Sequence, residues 1–262
     1  MDTLELHIDA RGVARLTMNR PERFNAFDEA MIGELGAAFA QLGADTNCRL
    51  VVLAGAGKHF SAGADVGWMQ RAAAASREAN VEDARRFAAM LQTIYECPKP
   101  VLARVQGLAL GGGVGLAAAC DIAIASVDAK FAVSEARLGI LPAVIGPYLV
   151  NAVGPRQAKR LALMAGRIGA AEALAMGLVQ EVADDLDAAI ERCVDELLAS
   201  GPEAQREIKA LLSQLQPGEI DAATRELTAQ TIARVRGGAE AREGFAAFMA
   251  KRPAAWVPNK ET

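Results

Sequence analysis

Histidine is nearly absent from this chain: only two of its 262 residues are histidine, His7 in a strand-like segment and His59 in a loop. The four cysteines lie far apart, with no C-x-x-C pair and no histidines at metal-binding spacing. A Ser-His-Asp triad or a zinc site therefore lacks its parts. We expect the thiols to be free and mostly buried, and we expect carboxylates or backbone groups to carry any chemistry.

Long apolar runs and an excess of positive charge are also missing. No apolar run approaches the ~20 residues that span a bilayer, and the N-terminal "MDTLELHIDARG" alternates where a signal peptide is continuously apolar. A content of 52% hydrophobic and 23% charged residues is typical of a globular protein. The net charge of −4 argues against a general nucleic-acid binder. The sequence predicts a soluble, cytoplasmic protein.

The sequence does contain an alternation of strand and helix patterns. Two alternating runs on either side of residues 10–12 predict a β-hairpin. Asp28 predicts the N-cap of a helix that reaches about Leu42, and the apolar run "RLVVLAG" predicts a buried strand. Further patterns predict helices over 71–97 and 114–120, strands over 101–110, 121–126, 130–133 and 178–182, and mostly helix after Pro142.

The C-terminal part of the chain differs from the rest because it contains almost only helical patterns. Glycine and proline interrupt these patterns at 201–202, 217–218 and 237–238. Their apolar faces need partners, as in any amphipathic helix. We therefore predict two regions, a core over 1–200 and a helical layer over 201–262.

Two of the predicted buried strands end in loops made of small residues, "SAGAD" at 61–65 and "LGGGVG" at 110–115. Small residues expose the backbone, and a glycine loop that leads into a helix points free N–H groups at whatever lies there. Neither loop has a phosphate-loop or dinucleotide motif. Glycines that merely allow tight packing would explain one loop, but two such loops favour a shared anion site or oxyanion hole.

Four segments in order resemble the enoyl-CoA hydratase/isomerase (crotonase) family: "NRPERFNAF", "GAGKHFSAGAD", "KPVLARVQGLALGGGVGLAAACDIAIAS" and "AKFAVSEARLGILP". The C-terminal "GFAAFMAKRPAAW" extends the resemblance to almost the whole chain. The family fold that this implies is α/β, a spiral of ββα units followed by a C-terminal α-helical layer. The resemblance also implies assembly as homotrimers or dimers of trimers.

The resemblance implies a binding site for an acyl-CoA thioester. The N–H groups of Ala62 and Gly112 would hold the thioester oxygen as it becomes an enolate. Plain surface charge is the alternative interpretation of Arg23 and Lys251. The residues implied to contact coenzyme A are Arg23, Ser61, Ala62, Gly63, Ala64, Asp65 and, from a neighbouring subunit, Phe248 and Lys251.

Glu135, in "SEARLG", matches the second of the two family glutamates that share a water molecule, and we predict that it is the catalytic acid and base. Its residue type and position after Ser134 also suit a plain helix-start glutamate. The first family glutamate is absent because its position is Gly115. Ala143 and Val144 stand where glycines are common in the family, and Asp121 lies too far along to replace the lost carboxylate.

Three functions remain open from these residues. The first is hydration of a 2-enoyl-CoA, branched or carboxylated as in 3-methylglutaconyl-CoA, because the chain most resembles hydratases of leucine and acyclic-terpene breakdown and because Gly115 leaves room. The second is a Δ3,Δ2-enoyl-CoA isomerase that uses Glu135 alone. The third is a non-catalytic acyl-CoA-binding protein. None of the three implies a metal or a cofactor, since coenzyme A is part of the substrate.

Overall fold

The computed structural model describes residues 2–215 and 217–258, and within these ranges it has nine strands and ten α-helices. The strands are β1 (Leu4–Ile8), β2 (Val13–Met18), β3 (Leu50–Gly55), β4 (Val101–Val105), β5 (Leu108–Leu110), β6 (Ile122–Ser126), β7 (Lys130–Ala132), β8 (Ile168–Gly169) and β9 (Glu181–Ala183). The helices are α1 (Glu29–Ala44), α2 (Val66–Ala74), α3 (Arg77–Tyr95), α4 (Gly112–Ala119), α5 (Gly146–Met164), α6 (Ala170–Ala175), α7 (Leu186–Ala199), α8 (Pro202–Leu212), α9 (Ala222–Arg236) and α10 (Ala239–Met249).

The strands form two sheets. The larger has the order β1-β2-β3-β4-β6-β9, in which β1 and β2 are antiparallel and all later neighbours are parallel. The smaller has the order β5-β7-β8, and β5 and β7 are parallel. Because helices connect the parallel strands, the chain has the α/β architecture that the sequence predicts.

Both faces of the larger sheet are buried, as a parallel sheet requires. Along β3, Val51 and Leu53 belong to the main core, which also includes residues of α1, α3, α4 and α5. Leu50 and Val52 point the other way, into a second core that α7 covers. This alternation is why β3 is apolar throughout although side chains point to both faces.

Several predicted elements agree with the structure. The hairpin forms from β1 and β2, and the Asp28 carboxylate caps α1 by accepting the Met31 N–H. The breaks at 201–202, 217–218 and 237–238 separate α7, α8, α9 and α10. All four cysteines are free thiols, of which Cys48 and Cys97 are buried.

Other predicted boundaries are wrong. The helix predicted over 71–97 is two helices, α2 and α3, because the Ser76 side chain caps a new start by accepting the Ala79 N–H. The strand predicted over 101–110 is β4 and β5 in different sheets, separated by a turn at Gly107 whose φ is +59°. Helix α4 begins at Gly112 rather than 114, and β9 lies at 181–183 rather than 178–182.

The C-terminal helices contact the core through a few polar contacts as well as apolar packing. The Arg49 guanidinium donates to the carbonyl of Trp256 at 2.8 Å, and Lys209 pairs with Asp121 at 2.6 Å. The predicted division into 1–200 and 201–262 extends to residues 259–262, which lie outside the described residues, and it remains a prediction. Among the described residues, no helix is both long and apolar enough to cross a membrane.

Candidate active site

Three extended segments lie side by side and bring the two small-residue loops together. Phe27 donates its N–H to Gly63 at 2.8 Å and accepts the Asp65 N–H at 3.0 Å. On the other side of the middle segment, Ser61 and Leu110 belong to a second ladder, in which Leu110 donates to the Ser61 carbonyl at 2.9 Å. The loop at 61–65 is therefore held between the segment at 24–27 and strand β5.

Two fully buried polar side chains, Asn25 and Ser61, hold this arrangement from inside. The Asn25 amide donates to the carbonyls of Ala56 and His59, at 2.9 and 2.7 Å. The Ser61 hydroxyl donates to the Asn25 carbonyl at 2.8 Å and accepts the Gly63 N–H at 3.1 Å. The side chain of Ser61 therefore supports the loop and is not available to coenzyme A. Of the coenzyme A contacts that the sequence predicts, a contact through the Ser61 hydroxyl is removed.

Asp65 is likewise engaged in the fold. Its carboxylate caps α2 by accepting the N–H groups of Gly67 and Trp68, and it lies 3.4 Å from the guanidinium of Arg20, which also pairs with Asp28. Burial would raise the pKa of Asp65, but the two amide hydrogen bonds and the nearby Arg20 outweigh burial and hold it below its usual value. Asp65 therefore fixes the end of the loop and the start of α2.

The backbone N–H groups of the two loops differ in whether they are already bonded. The Ala62 N–H donates to the Phe24 carbonyl at 2.9 Å, so Ala62 is not a free donor and the prediction that assigned it to the thioester oxygen is wrong for this structure. The Ala64 N–H and the Gly112 N–H donate to no acceptor among residues 2–215 and 217–258. In the parallel bridge to Phe27, Ala64 turns its own N–H away from Phe27.

The two free donors lie close to each other. An ideal Cβ built on Gly63, the residue before Ala64, would be 3.1 Å from the nitrogen of Gly112. Gly112 is the first residue of α4, so its N–H is one of the groups that a helix leaves unbonded. The structure therefore places Ala64, rather than Ala62, together with Gly112 as the pair of donors.

The triple glycine is required by packing as well as by exposure of the backbone. A Cβ on Gly112 would overlap the ring of Phe27, and a Cβ on Gly113 would overlap the Ser61 carbonyl oxygen. Gly111 has a φ of +49°, which side chains disfavour. Tight packing and an exposed N–H are thus two consequences of the same loop.

Glu135 lies beside this loop. It begins a 3-10 turn, Glu135–Leu138, after β7, and its Oε1 would be 3.2 Å from an ideal Cβ on Gly111. Its Oε2 is buried and has no hydrogen-bond partner among the described residues. Burial raises the pKa of Glu135, and the hydrogen bond from its own backbone opposes this only in part. The carboxyl that the sequence predicts to be catalytic is therefore next to the free amides.

The room expected at Gly115 is occupied. A Cβ at position 115 would overlap Cγ2 of Ile145 and lie 2.8 Å from its Cβ. Ile145, which precedes α5, is 2% exposed. The prediction that an acyl group uses a space at Gly115 is wrong, because the side chain of Ile145 fills that space. The sequence patterns did not single out Ile145.

The remaining predicted residues lie elsewhere. Asp121 pairs with Lys209 and accepts the Val101 N–H, so it does not replace a carboxylate at position 115. Arg23 is exposed at the end of a 3-10 turn near the loop at 61–65. Phe248, 79% exposed, and Lys251 lie in and just after α10, and their predicted role toward a neighbouring subunit remains a prediction.

Chemically, the site can bind an oxyanion and move a proton. Two adjacent N–H donors suit an oxygen that gains negative charge, and a carboxyl with a raised pKa suits proton transfer. Within the described ranges, no group of three or more histidine, cysteine, aspartate or glutamate side chains could hold a metal ion.

Comparisons with known proteins agree with this chemistry. The sequence family described as enoyl-CoA hydratase/isomerase matches residues 9–259. The crotonyl-CoA hydratase of Syntrophomonas wolfei is 34% identical over 253 residues, which cover 94% of each chain. A crystal structure of an enoyl-CoA hydratase from Shewanella pealeana superposes with a TM-score of 0.94 at 40% identity, covering 97% of this chain and 96% of that one. Pseudomonas aeruginosa AtuE superposes at 0.93 and 42% identity, covering 98% and 100%.

Proposed function

The chain belongs to the enoyl-CoA hydratase/isomerase family, and from that premise we propose that it is a hydro-lyase that adds water across the 2,3 double bond of a 2-enoyl-CoA. One observation carries the proposal: the free N–H groups of Ala64 and Gly112 lie beside Glu135, whose Oε2 has no partner among the described residues. A substrate oxygen would accept the two N–H groups, and a water molecule would donate to the carboxylate of Glu135.

The proposed reaction uses the donors and the carboxylate in turn. The thioester oxygen accepts the N–H groups of Ala64 and Gly112. Glu135 takes a proton from water as the water oxygen bonds to C3, and the electrons of the double bond move onto the thioester oxygen as an enolate. The protonated Glu135 then gives the proton to C2, which restores the carboxylate. Because burial raises the pKa of Glu135 toward neutral pH, the carboxyl can both accept and release a proton more readily there.

The substrate class that we propose is a branched or carboxylated 2-enoyl-CoA of the 3-methylglutaconyl type. Its support is the resemblance of "SEARLGILPAVIGPYLV" to hydratases of leucine and acyclic-terpene breakdown. A vacant space at Gly115 no longer supports it, since Ile145 lies there. The reaction needs no cofactor beyond the coenzyme A of the substrate.

A Δ3,Δ2-enoyl-CoA isomerase is the second candidate because the described site offers one carboxylate, and one carboxylate suffices to move a proton between C2 and C4. The family's description names both activities. A non-catalytic acyl-CoA-binding protein is the third candidate. It is disfavoured because a pure binder has no use for a partly buried carboxyl without a partner beside the donors.

The deciding experiment compares products from crotonyl-CoA, 3-hexenoyl-CoA and 3-methylglutaconyl-CoA, with wild-type protein and Glu135→Gln. We expect 3-hydroxyacyl products, with the highest kcat/KM on 3-methylglutaconyl-CoA, and a loss of about a hundredfold or more in Glu135→Gln. Glu82→Gln, on the exposed face of α3, is the matched control and should keep full activity. Conversion of 3-hexenoyl-CoA alone would identify an isomerase, and binding without turnover of any substrate would identify a binding protein.

We also propose that the protein works as a homotrimer or a dimer of trimers through its C-terminal helices. In the single chain, α10 leaves three large apolar side chains in solvent: Phe245 at 60%, Phe248 at 79% and Met249 at 80% exposure. They line a groove of about 910 Å³. Exposed apolar clusters of this kind mark interfaces. Sedimentation equilibrium should give three or six times the chain mass, and a monomer at micromolar concentration would contradict this proposal.

A further inference from the structure

Phe27, the last residue of the segment "NRPERFNAF", contacts both halves of the proposed donor pair, although the sequence assigns it no role of its own. It is fully buried and lies just before α1. Its backbone bonds to the segment that contains Ala64, and its ring lies against Gly112. Among the described residues it therefore links the two loops from one position.

The backbone contacts fix the direction of the Ala64 N–H. Phe27 donates to the Gly63 carbonyl at 2.8 Å and accepts the Asp65 N–H at 3.0 Å. These two bonds are on either side of Ala64, so the peptide plane of Ala64 cannot rotate without breaking one of them. The bonds also use the groups that face Phe27 and leave the Ala64 N–H facing the other way.

The ring contacts fix the position of Gly112. The Phe27 ring occupies the volume that a Cβ on Gly112 would need, so the ring and the start of α4 are in van der Waals contact. The ring is in turn packed by Phe87 at 5.1 Å and Trp68 at 6.3 Å between ring centroids. Trp68 is anchored by a 2.6 Å hydrogen bond from its indole N–H to Asp83. These contacts hold the Phe27 ring in place, so the ring limits how far the start of α4 can move toward it.

We propose that Phe27 is a positioning residue that sets the spacing between the N–H groups of Ala64 and Gly112. The inference rests on the proposed function, since the two donors are taken to bind one thioester oxygen. Donors must be about 2.7–3.1 Å from the developing oxyanion, and a misplacement of about 1 Å can cost about a hundredfold in rate. A shorter side chain at position 27 lets the start of α4 move toward the vacated volume while the bonds to the loop remain.

The test is Phe27→Leu with Phe39→Leu as the matched control. Phe39 is equally buried, in α1, and belongs to the same core. Both variants should lower Tm by a similar amount because both lose the same aromatic volume. Only Phe27→Leu should lower kcat, by about tenfold or more, with KM within about twofold. Should Phe27→Leu fail to fold, Phe27→Met keeps most of the volume and is expected to show a smaller fall in kcat.

A binding measurement separates this inference from the proposed function. Acetoacetyl-CoA presents an easily enolised thioester, whereas coenzyme A presents none, so the ratio of their Kd values cancels the coenzyme A contacts and reports on the acyl part of the site, which includes the donor pair. We expect Phe27→Leu to weaken acetoacetyl-CoA about tenfold relative to coenzyme A, with no change in that ratio for Phe39→Leu. An unchanged ratio and an unchanged kcat in Phe27→Leu would overturn the inference. If Phe27→Leu changes the Kd ratio as expected but the wild-type protein hydrates no enoyl-CoA, the proposed function is overturned and the inference stands.

Discussion

At the scale of single residues, Glu135 is costly to the folded protein. Its Oε2 is buried without a partner among the described residues, and burial raises its pKa above the ordinary value of 4.5. A raised folded-state pKa means that the folded protein holds this proton more tightly than the unfolded chain does. The contribution of Glu135 to stability is therefore fully present below pH 4.5 and is lost as pH rises through the folded pKa.

We therefore predict that Glu135→Gln is more stable than wild type at neutral pH and about equal to it in acid. Glutamine keeps the shape and has no ionisation to suppress, so the gain in the free energy of unfolding should grow as pH rises above 4.5. Denaturant titrations at several pH values measure it. Glu82→Gln, at an exposed position, is the control for the change of residue type. A gain that is as large in acid as at neutral pH would mean that ionisation of Glu135 is not the cause.

The assignment of donors gives a second prediction at this scale. Replacing the Ala64 residue by lactic acid changes its N–H to an ester oxygen and should lower kcat about a hundredfold, with a loss of stability limited to the weaker hydrogen bond that the resulting Gly63 ester carbonyl accepts from Phe27. The same replacement at Ala62 removes the bond to Phe24, so it should lower stability by about 1 kcal/mol while kcat remains near wild type. Steady-state kinetics and thermal unfolding of both proteins show which of the two alanines is the donor. The reverse pattern would restore Ala62 as the donor.

The sequence predicts the two loops, Gly112 and Glu135, but not which alanine is the donor. Glycine clusters and a glutamate in "SEARLG" are visible in the residues themselves. The choice between Ala62 and Ala64 depends on which backbone groups pair with neighbouring segments. Those pairs join Ala62 to Phe24 and flank Ala64 through Phe27, and they form only in the folded chain.

At the scale of secondary structure, the packing of α4 on α5 determines what position 115 can hold. Gly111, the residue before α4, and Gly115, within α4, are joined across the first helical turn by a 3.2 Å hydrogen bond from the Gly115 N–H to the Gly111 carbonyl. Glu135 lies against the first and Ile145 against the second. A side chain at position 115 would therefore lie one helical turn beyond the point where Glu135 contacts Gly111. Ile145 occupies the volume that the Cβ of such a side chain would need.

We predict that Gly115→Glu alone destabilises the protein by about 1–3 kcal/mol and gives no gain in crotonyl-CoA hydration. Gly115→Glu with Ile145→Gly removes the overlap and should raise the rate on crotonyl-CoA, while loss of the buried isoleucine side chain costs about 2–5 kcal/mol of stability. Gly115→Glu with Ile145→Ala should raise the rate less, because the Cβ of residue 145 stays 2.8 Å from the new Cβ. Gly115→Gln with Ile145→Gly is the control without a carboxylate and should fold without the gain. A gain from Gly115→Glu alone would show that Ile145 does not exclude the side chain.

Sequence periodicity predicts most strands and helices here, and it fails where tertiary contacts decide. The run over 101–110 is mostly apolar and has the pattern of a single strand, yet the turn at Gly107 sends its halves to different sheets. The run over 71–97 is continuously helical in pattern, yet Ser76 begins a new helix. Ile145 appears as one more apolar residue, and only its contact with Gly115 gives it a role.

At the scale of the whole molecule, an ion pair between Asp121 and Lys209 helps to attach the C-terminal helices to the core, and the two side chains are 31% and 18% exposed. The Asp121 carboxylate, at the end of α4, accepts from Lys209 of α8 at 2.6 Å and from the Val101 N–H at 2.7 Å. Burial raises the pKa of Asp121 above the ordinary 3.8, and the charge and hydrogen bond of Lys209 oppose that rise. Lys209 thus makes an ionised Asp121 less costly in the folded state.

Removing that lysine should couple the stability of the whole chain to pH. We predict that Lys209→Met lowers the free energy of unfolding by about 1 kcal/mol at neutral pH, because the partly exposed carboxylate of Asp121 loses its cation. Without Lys209 its folded pKa rises further, so the loss should disappear below about pH 3.8, where Asp121 is protonated in both states. Denaturant titrations across pH measure this difference. Lys209→Met with Asp121→Asn should recover most of the loss, since asparagine carries no charge and can still accept the Val101 N–H. A loss that is independent of pH and persists in the double variant would mean that the apolar stem of Lys209 or its 3.1 Å hydrogen bond to the Lys99 carbonyl, rather than its pairing with Asp121, holds α8 to the core.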